Sequence, residues 1–324
     1  MCTAVAMRAQ GLYFGRTLDF SQDFGQELTL MPRQYPLKLR HMAAMDRHYA
    51  LLGVGVIMEG FPLFFDAVNE KGLAMAGLRF ADSACYTGAL AGKDNVAQFE
   101  LIPWILGQCE SVAQVRQLVR RLQITDTAFH SDLPSAPLHW LVADESQTLT
   151  LEATAQGLQI YDNPVGVLTN EPPFPQQMLH LANFMHLSAA EPENRFAPEI
   201  SMPRYTHGLG AMGLPGDGSS TSRFVRAAFA LHNRLPEPTV QGRVEQMMHI
   251  LDSVSQLRGS CYTQNDQPFF TRYSICCDAT RGEYFYTTWE NRSISAVSMA
   301  RAELTGSALR HWPMLRNSAT VWQN

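Results

Sequence analysis

Apolar and polar positions alternate in short runs along the first eighty residues, the period-two signature of half-buried strands. The runs predict strands over 2–8, 12–20, 27–31, 49–57, 62–69 and 73–80, with turn signals at Gln10-Gly11 and Glu70-Lys71-Gly72 between them. The period then changes. Ser111 is a candidate N-cap with Gln114 three residues on, and Val115, Leu118, Val119 and Leu122 follow at helical spacing. Further strands are predicted over 138–143, 149–153, 158–161 and 166–169, helices over 176–187, 222–233 and 240–257, and strands again over 269–277, 283–289 and 293–299. Strand runs at both ends with helices between them imply two layers of sheet with helices outside. A chain of 324 residues would ordinarily suggest two domains. No linker divides this one, and the Pro/Gly-rich stretch 208–220 reads as a long ordered loop, so one domain over 1–324 is expected.

Composition narrows the function classes. Lys+Arg number 25 against 30 Asp+Glu, a net charge of −5, and no cationic run exceeds pairs such as Arg120-Arg121, so a nucleic-acid partner has no electrostatic footprint. Charged residues are only 17%, against roughly a quarter in ordinary soluble domains, which points to self-association. The longest apolar runs fall well short of the ~20 residues that cross a bilayer, and the N-terminus lacks a secretory pattern; a cytoplasmic location is expected. The six cysteines (2, 85, 109, 261, 276 and 277) form neither a metal-binding spacing nor a disulfide framework, the adjacent Cys276-Cys277 reads as core packing, and neither a metal nor a cofactor is expected. Asn291-Arg292-Ser293 matches a glycosylation acceptor but has no secretory route.

Cys2 stands apart. Once Met1 is removed, it carries a thiol and a free α-amine on one residue, and an α-amine titrating near about 7.7–8.0 can take the thiol's proton and return it to a leaving amine. Treating Gln10-Gly11 as a two-residue turn makes paired positions sum to 21, which sets Cys2 opposite Asp19 and Val5 opposite Arg16. Arg16 and Asp19 would then lie on opposite faces, and a bulge at Gly15 would be needed to aim both at Cys2. Arg223, near the start of a helix where the macrodipole disfavours a cation, also needs a reason to be there; an ion pair with Asp217 is the competing account.

Cys2, the segment 14–19 (FGRTLD), the run 69–78 (NEKGLAMAGL), the segment 166–170 (GVLTN) and the segment 222–226 (SRFVR) together resemble the choloylglycine hydrolase family, which contains the conjugated bile salt hydrolases and the penicillin V acylases. The resemblance runs from Cys2 to about Ala296. It implies an α+β fold, a four-layer αββα sandwich of two antiparallel sheets of the N-terminal nucleophile hydrolase type, assembled as a homotetramer. It implies a catalytic set of Cys2 as nucleophile, its α-amine as base, Asp19 orienting that amine, Arg16 beside the thiol, Asn170 as an oxyanion-hole donor, and Arg223. The second oxyanion donor would be the backbone N–H of Arg79, a position where the family usually carries asparagine or tyrosine. The Arg79 side chain would also face the substrate, and Glu171 is expected to pair with it.

By the same resemblance, the apolar part of the substrate would lie against Leu18, Phe61, Phe129, Leu133 and Leu138, and the aromatic crowding of the segment 59–66 adds Phe65. The expected activity is hydrolysis of the amide of glycine- or taurine-conjugated bile salts, a small amphipathic substrate. The alternatives are a penicillin V or N-acyl homoserine lactone acylase and, in another class, a homologue that binds an amphipathic ligand without turning it over.

Overall fold

The computed structural model describes residues 1–323. Its strands are β1 (Cys2–Arg8), β2 (Leu12–Phe20), β3 (Glu27–Met31), β4 (Leu51–Met58), β5 (Phe61–Asn69), β6 (Ala74–Arg79), β7 (Asp94–Ala97), β8 (Leu122–Thr125), β9 (Leu138–Ala143), β10 (Thr148–Thr154), β11 (Gly157–Asp162), β12 (Val167–Leu168), β13 (Phe270–Asp278), β14 (Glu283–Thr288), β15 (Ser295–Ser298) and β16 (Arg310–Pro313). The α-helices are α1 (Leu101–Leu106), α2 (Val112–Leu118), α3 (Phe174–Leu181), α4 (Ser220–Asn233) and α5 (Val240–Asp252).

Two antiparallel sheets stack face to face. One has the order β12-β1-β2-β13-β14-β15, the other β11-β10-β9-β6-β5-β4-β3-β16. Helices α4 and α5 cover the outer face of the first, and α1 and α2 cover the second. This is the expected αββα sandwich. Ala4, Leu18, Leu52, Val68, Ala76 and Leu141 belong to a core shared by the sheets and α4–α5, while Leu101, Ile105, Val112 and Val115 of α1 and α2 close a second core on Met75, Trp140 and Val142.

Several elements differ from the pattern reading. Helix α1 was not expected: the run Leu-Ile-Pro-Trp-Ile-Leu is buried all round, so it shows no polar face and no period. Leu122 keeps helical spacing with Leu118, yet the chain turns extended there (ψ 134°) and starts β8, which pairs in parallel with β7. Strand β16 is an exposed edge on β3 with no alternation to betray it. Helix α4 is capped by Ser219, whose side chain accepts from Ser222 N, so it begins two residues earlier than expected, and α5 ends at Asp252, well before 257.

The β1–β2 register is one residue away from the two-residue-turn arithmetic. Gln10 (φ 55°) and Gly11 (φ 125°) both lie in the left-handed region, and Ala9 N donates to Gly11 O (3.0 Å), so the loop holds three residues. Paired positions therefore sum to 20: Cys2 faces Leu18, Ala4 faces Arg16 and Val5 faces Gly15. Cys2 and Arg16 fall on one face without a bulge. Strand β2 runs regularly through Gly15, whose missing side chain admits α5: a Cβ there would stand 2.5 Å from Met247 Sδ and 3.2 Å from Leu251 Cδ1. The irregularities occur elsewhere, on β13 between Thr271 and Tyr273, and at the β4–β5 pairing, where Phe65 is the extra residue.

Gly15→Val should therefore overpack the α5–β2 contact and cost about 1–3 kcal/mol of stability. Equilibrium urea unfolding measures this as a lower midpoint at unchanged slope.

Candidate active site

At the free end of β1 the two faces of the strand have different neighbours. Cys2, Ala4, Arg16 and Leu18 point between the sheets. Thr3, Gly15, Thr17 and Asp19 point to the α4–α5 side, because side chains alternate along a strand. The Cys2 thiol is buried, and Arg16 Nη2 stands 3.2 Å from its sulfur. Arg16 is 1% exposed. Its Nη1 donates to Phe65 O (2.8 Å), a carbonyl freed by the β5 bulge, and to Asp66 Oδ2 (3.4 Å). Asp66, fully buried, also accepts from the hydroxyls of Tyr273 (3.1 Å) and Tyr284 (3.2 Å). Burial opposes the Arg16 charge, but Tyr273, Cys2 and Asp66 outweigh it and hold the guanidinium protonated. Burial pulls the Asp66 carboxyl up from its ordinary value, against Arg16 and the two tyrosines, which favour the charged form.

From the helix side come Asp19 and Arg223. Asp19 Oδ1 accepts from Thr271 Oγ1 (2.6 Å), while Oδ2 is buried without a partner. The Asp19 backbone pairs with Met1 through Asp19 N to Met1 O (3.0 Å) and Met1 N to Asp19 O (2.9 Å). Burial brings the Met1 ammonium down to about 6, against the pull of Cys2 and Asp19. Arg223 is fully buried and donates to Cys2 O (2.6 Å), Thr3 Oγ1 (2.7 Å), Asn170 Oδ1 (2.7 Å) and Gly218 O (3.1 Å). The Asp217 carboxylate accepts from Ser219 N and Ser222 Oγ, so the ion pair between Arg223 and Asp217 does not form.

Asn170, just beyond β12, joins the two halves. Its Oδ1 accepts from Cys2 N (2.9 Å) and Arg223, and its Nδ2 donates to Arg79 O (2.8 Å). An amide nitrogen has two hydrogens, so one remains for another acceptor. On β6, Phe80 N donates to Pro137 O, so by alternation the Arg79 N–H points away from β9, toward an edge where β5–β6 pairing has ended at Asp66–Ala76. The expected Arg79–Glu171 pair is absent: Glu171 accepts from Asp82 N, Ser83 N and Ser83 Oγ at 2.8–3.0 Å, which ties the loop carrying Asn170 to the turn after β6. The Arg79 side chain is exposed.

The expected apolar wall is dispersed into groups. Leu18 is the cross-strand partner of Cys2, and Leu138 that of Arg79. Phe61 and Phe129 (6.1 Å between centroids) share a cluster with Phe99, and the Arg40 guanidinium lies over Phe129 at 5.1 Å. Phe65 packs on Phe24 (5.6 Å), and Leu133 sits exposed in the turn bridged to His130.

Pattern reading missed Asp66, Tyr273, Thr271 and His139. Buried His139 contacts Glu152 Oε1 and Thr169 O, each at 3.0 Å, and stacks on Phe80 (4.3 Å between centroids). A charged residue in the middle of the apolar run Phe61–Asn69 was the available signal for Asp66, since a buried carboxylate must be answered by donors.

Two stacked antiparallel sheets between helix layers, with a buried cysteine next to the chain start, define an N-terminal nucleophile hydrolase fold. The family model for linear amide C–N hydrolases of the choloylglycine hydrolase family matches residues 2–312, and the chain belongs to that family. It is 44% identical to a bile salt hydrolase/transferase of Lactiplantibacillus plantarum across 99% of both chains, and 32% identical to one of Clostridium perfringens across 96% of both. A solved conjugated bile acid hydrolase of C. perfringens superposes with a TM-score of 0.92 at 29% identity over 100% of both chains. A penicillin V acylase of Agrobacterium tumefaciens shares the fold, at a TM-score of 0.78 and 18% identity, over 99% of this chain and 94% of that one.

Arg223→Met removes donors from Cys2 O and Asn170 Oδ1 together. Charge-assisted hydrogen bonds contribute about 1.5–3 kcal/mol each, so the variant should lose at least about 2 kcal/mol in thermal or urea unfolding.

Proposed function

We propose that this chain hydrolyses the amide of glycine- or taurine-conjugated bile salts through Cys2, exposed by removal of Met1. The observation that carries this reading is the convergence on Cys2 of Arg16 at 3.2 Å from the sulfur and of Asn170 and Arg223 on its main chain. The 44%-identical relative named as a bile salt hydrolase/transferase supports the substrate class.

The Cys2 thiol passes its proton to the α-amine, and the sulfur attacks the substrate carbonyl. The resulting oxyanion takes the spare Asn170 Nδ2 hydrogen and the Arg79 N–H; one such donor is typically worth ~10²- to 10³-fold in rate. Collapse breaks the C–N bond, the departing glycine or taurine takes the proton from the α-ammonium, and an acyl thioester remains. Water, deprotonated by the same amine, attacks the thioester; the C–S bond breaks, the free bile acid leaves, and the α-ammonium returns its proton to the Cys2 sulfur. An amine in place of water would give acyl transfer.

Asp19 Oδ2, buried and unpartnered, is suited to hold the new amine once Met1 has gone. Arg79 is an exposed cation beside the oxyanion position and suits the carboxylate or sulfonate of the leaving amine. We assign Leu18, Leu138 and the half-buried Phe61 and Phe65 to the apolar side of the substrate, with Phe129 behind Phe61 and Leu133 at the rim. The whole chain acts as one domain, in the cytoplasm. Among the described residues no helix is long and apolar enough to cross a membrane. Large apolar side chains on the arm between α3 and α4, including Phe196 at 92% exposure and Met185 at 84%, support assembly as a homotetramer.

Cys2→Ala, with Met1 removal confirmed by mass spectrometry, should abolish release of amine from taurocholate and glycocholate. In a panel with penicillin V and an acyl homoserine lactone, wild type should favour the bile salts; preference for either other substrate, or full activity of Cys2→Ala, would overturn the reading.

Burial at this end of β1 disfavours the charged form of an α-amine, as it does for Met1. Since only the neutral amine accepts the thiol's proton, kcat/KM should fall as the pH drops below neutral and the amine is protonated. A pH–rate profile on taurocholate checks this limb.

A further inference from the structure

Asp66 lies on β5, on the opposite sheet from the nucleophile, and touches the Arg16 guanidinium (3.4 Å) and the hydroxyls of Tyr273 (3.1 Å) and Tyr284 (3.2 Å). We propose that Asp66 is a positioning residue for the Cys2 sulfur: it fixes the Arg16 guanidinium against the thiol and offsets the charge that the thiol sees, with Tyr273 and Tyr284 fixing Asp66 in turn. The proposal rests on the reading of Cys2 as nucleophile.

Geometry and charge support it together. Arg16 divides its donors between the two sheets: Nη2 goes to the sulfur, Nη1 to Phe65 O and Asp66, and Nε to Thr17 O (3.4 Å). Without Asp66, nothing ionic holds the fork in that orientation, since its remaining oxygen partners are two carbonyls. The charged and titratable groups that act on the chain start or on Arg16 are Arg16 and Asp19 on β2, Asp66 on β5, Arg79 on β6, Arg223 on α4 and Tyr273 on β13. Arg16 and the Tyr273 and Tyr284 hydroxyls favour the ionised form of Asp66 against its burial; with Asp66 and Asp19 both ionised, the buried Arg16 and Arg223 charges are matched, whether Cys2 is thiol and amine or thiolate and ammonium. Removing the Asp66 charge leaves one uncompensated cation facing the sulfur. That favours a thiolate formed by losing its proton to solvent, and the proton that the departing amine needs is no longer delivered by way of the α-amine. Asp66 therefore restrains thiolate formation while supporting turnover, two effects of opposite sign.

The test uses the full chain with Met1 removed, comparing wild type with Asp66→Asn. Two quantities are measured: the pH dependence of iodoacetamide alkylation at Cys2, quantified on the Cys2 peptide, and kcat and KM for taurocholate. Alkylation should shift to lower pH by about one unit. Meanwhile kcat should fall ~10-fold or more, with KM changed less than about 3-fold. A merely loosened fold would instead alkylate as an ordinary cysteine titrating near about 8.5 and would overturn the proposal, as would an unchanged alkylation profile and kcat. If circular dichroism shows that Asp66→Asn does not fold, Tyr273→Phe and Tyr284→Phe, each removing one bond to Asp66, should move both readouts the same way by smaller amounts. No movement in either would overturn the proposal. Full hydrolysis by Cys2→Ala would remove the nucleophile reading itself, whereas an inactive Cys2→Ala beside a fully active Asp66→Asn removes only the role of Asp66.

Discussion

A guanidinium sealed between two β-sheets is the constraint round which this molecule is arranged. Taking the Arg16 charge out of water costs several kcal/mol even after relaxation, and an ion pair with one carboxylate seldom recovers more than that. The answer here draws on both sheets. Arg16 comes from β2, Asp66 and the freed Phe65 carbonyl from β5, and the tyrosines that satisfy Asp66 from β13 and β14. Apolar side chains of similar volume would hold the layers together at least as well. What they would not do is place a fixed cation against the Cys2 sulfur.

The opposite face of the same strand end solves a second problem, how to hold a chain terminus still. Termini ordinarily fray because few bonds tie them down. Here Arg223 grips the Cys2 carbonyl from α4, and Asn170 accepts from the Cys2 nitrogen. Asn170 also reaches Arg79 O, and Glu171 holds the turn after β6, so the two candidate oxyanion donors are set by one short loop. Buried His139 braces the same arrangement from behind, between Thr169 and the Phe80 ring.

Much of this was legible in the chain. The order of motifs round Cys2, Arg16, Asp19, Asn170 and Arg223 pointed to residues that do converge, and most strand boundaries followed from alternation to within a residue or two. What escaped has physical reasons. Period two fixes which residues share a face but not how many residues a turn holds, so the left-handed Gln10 moved the register by one and put Arg16, not Asp19, on the Cys2 face; Asp19 meets the terminus from the other face, and β2 needs no bulge at Gly15. Asp66 lay in a run read only for its apolar alternation. Helix α1 is apolar on every side and so has no face to detect. The Glu171–Arg79 pairing looked natural by charge, but backbone N–H groups at Asp82 and Ser83 stood nearer the carboxylate.

The three-residue loop Ala9–Gly11 looks like an ordinary surface connection, the kind of place where chains usually gain or lose residues freely. In this fold it is not neutral ground. It lies at the far end of β1 from Cys2, roughly 20 Å away at ~3.3 Å per strand residue. A change of loop length passed on into the β1–β2 pairing, and not absorbed by the turn, would take Arg16 off the face it shares with Cys2 and pull Leu12, Phe14 and Leu18 out of the core. Length at this hairpin thus bears on which side chain reaches the sulfur, although no atom of the loop comes near the chemistry.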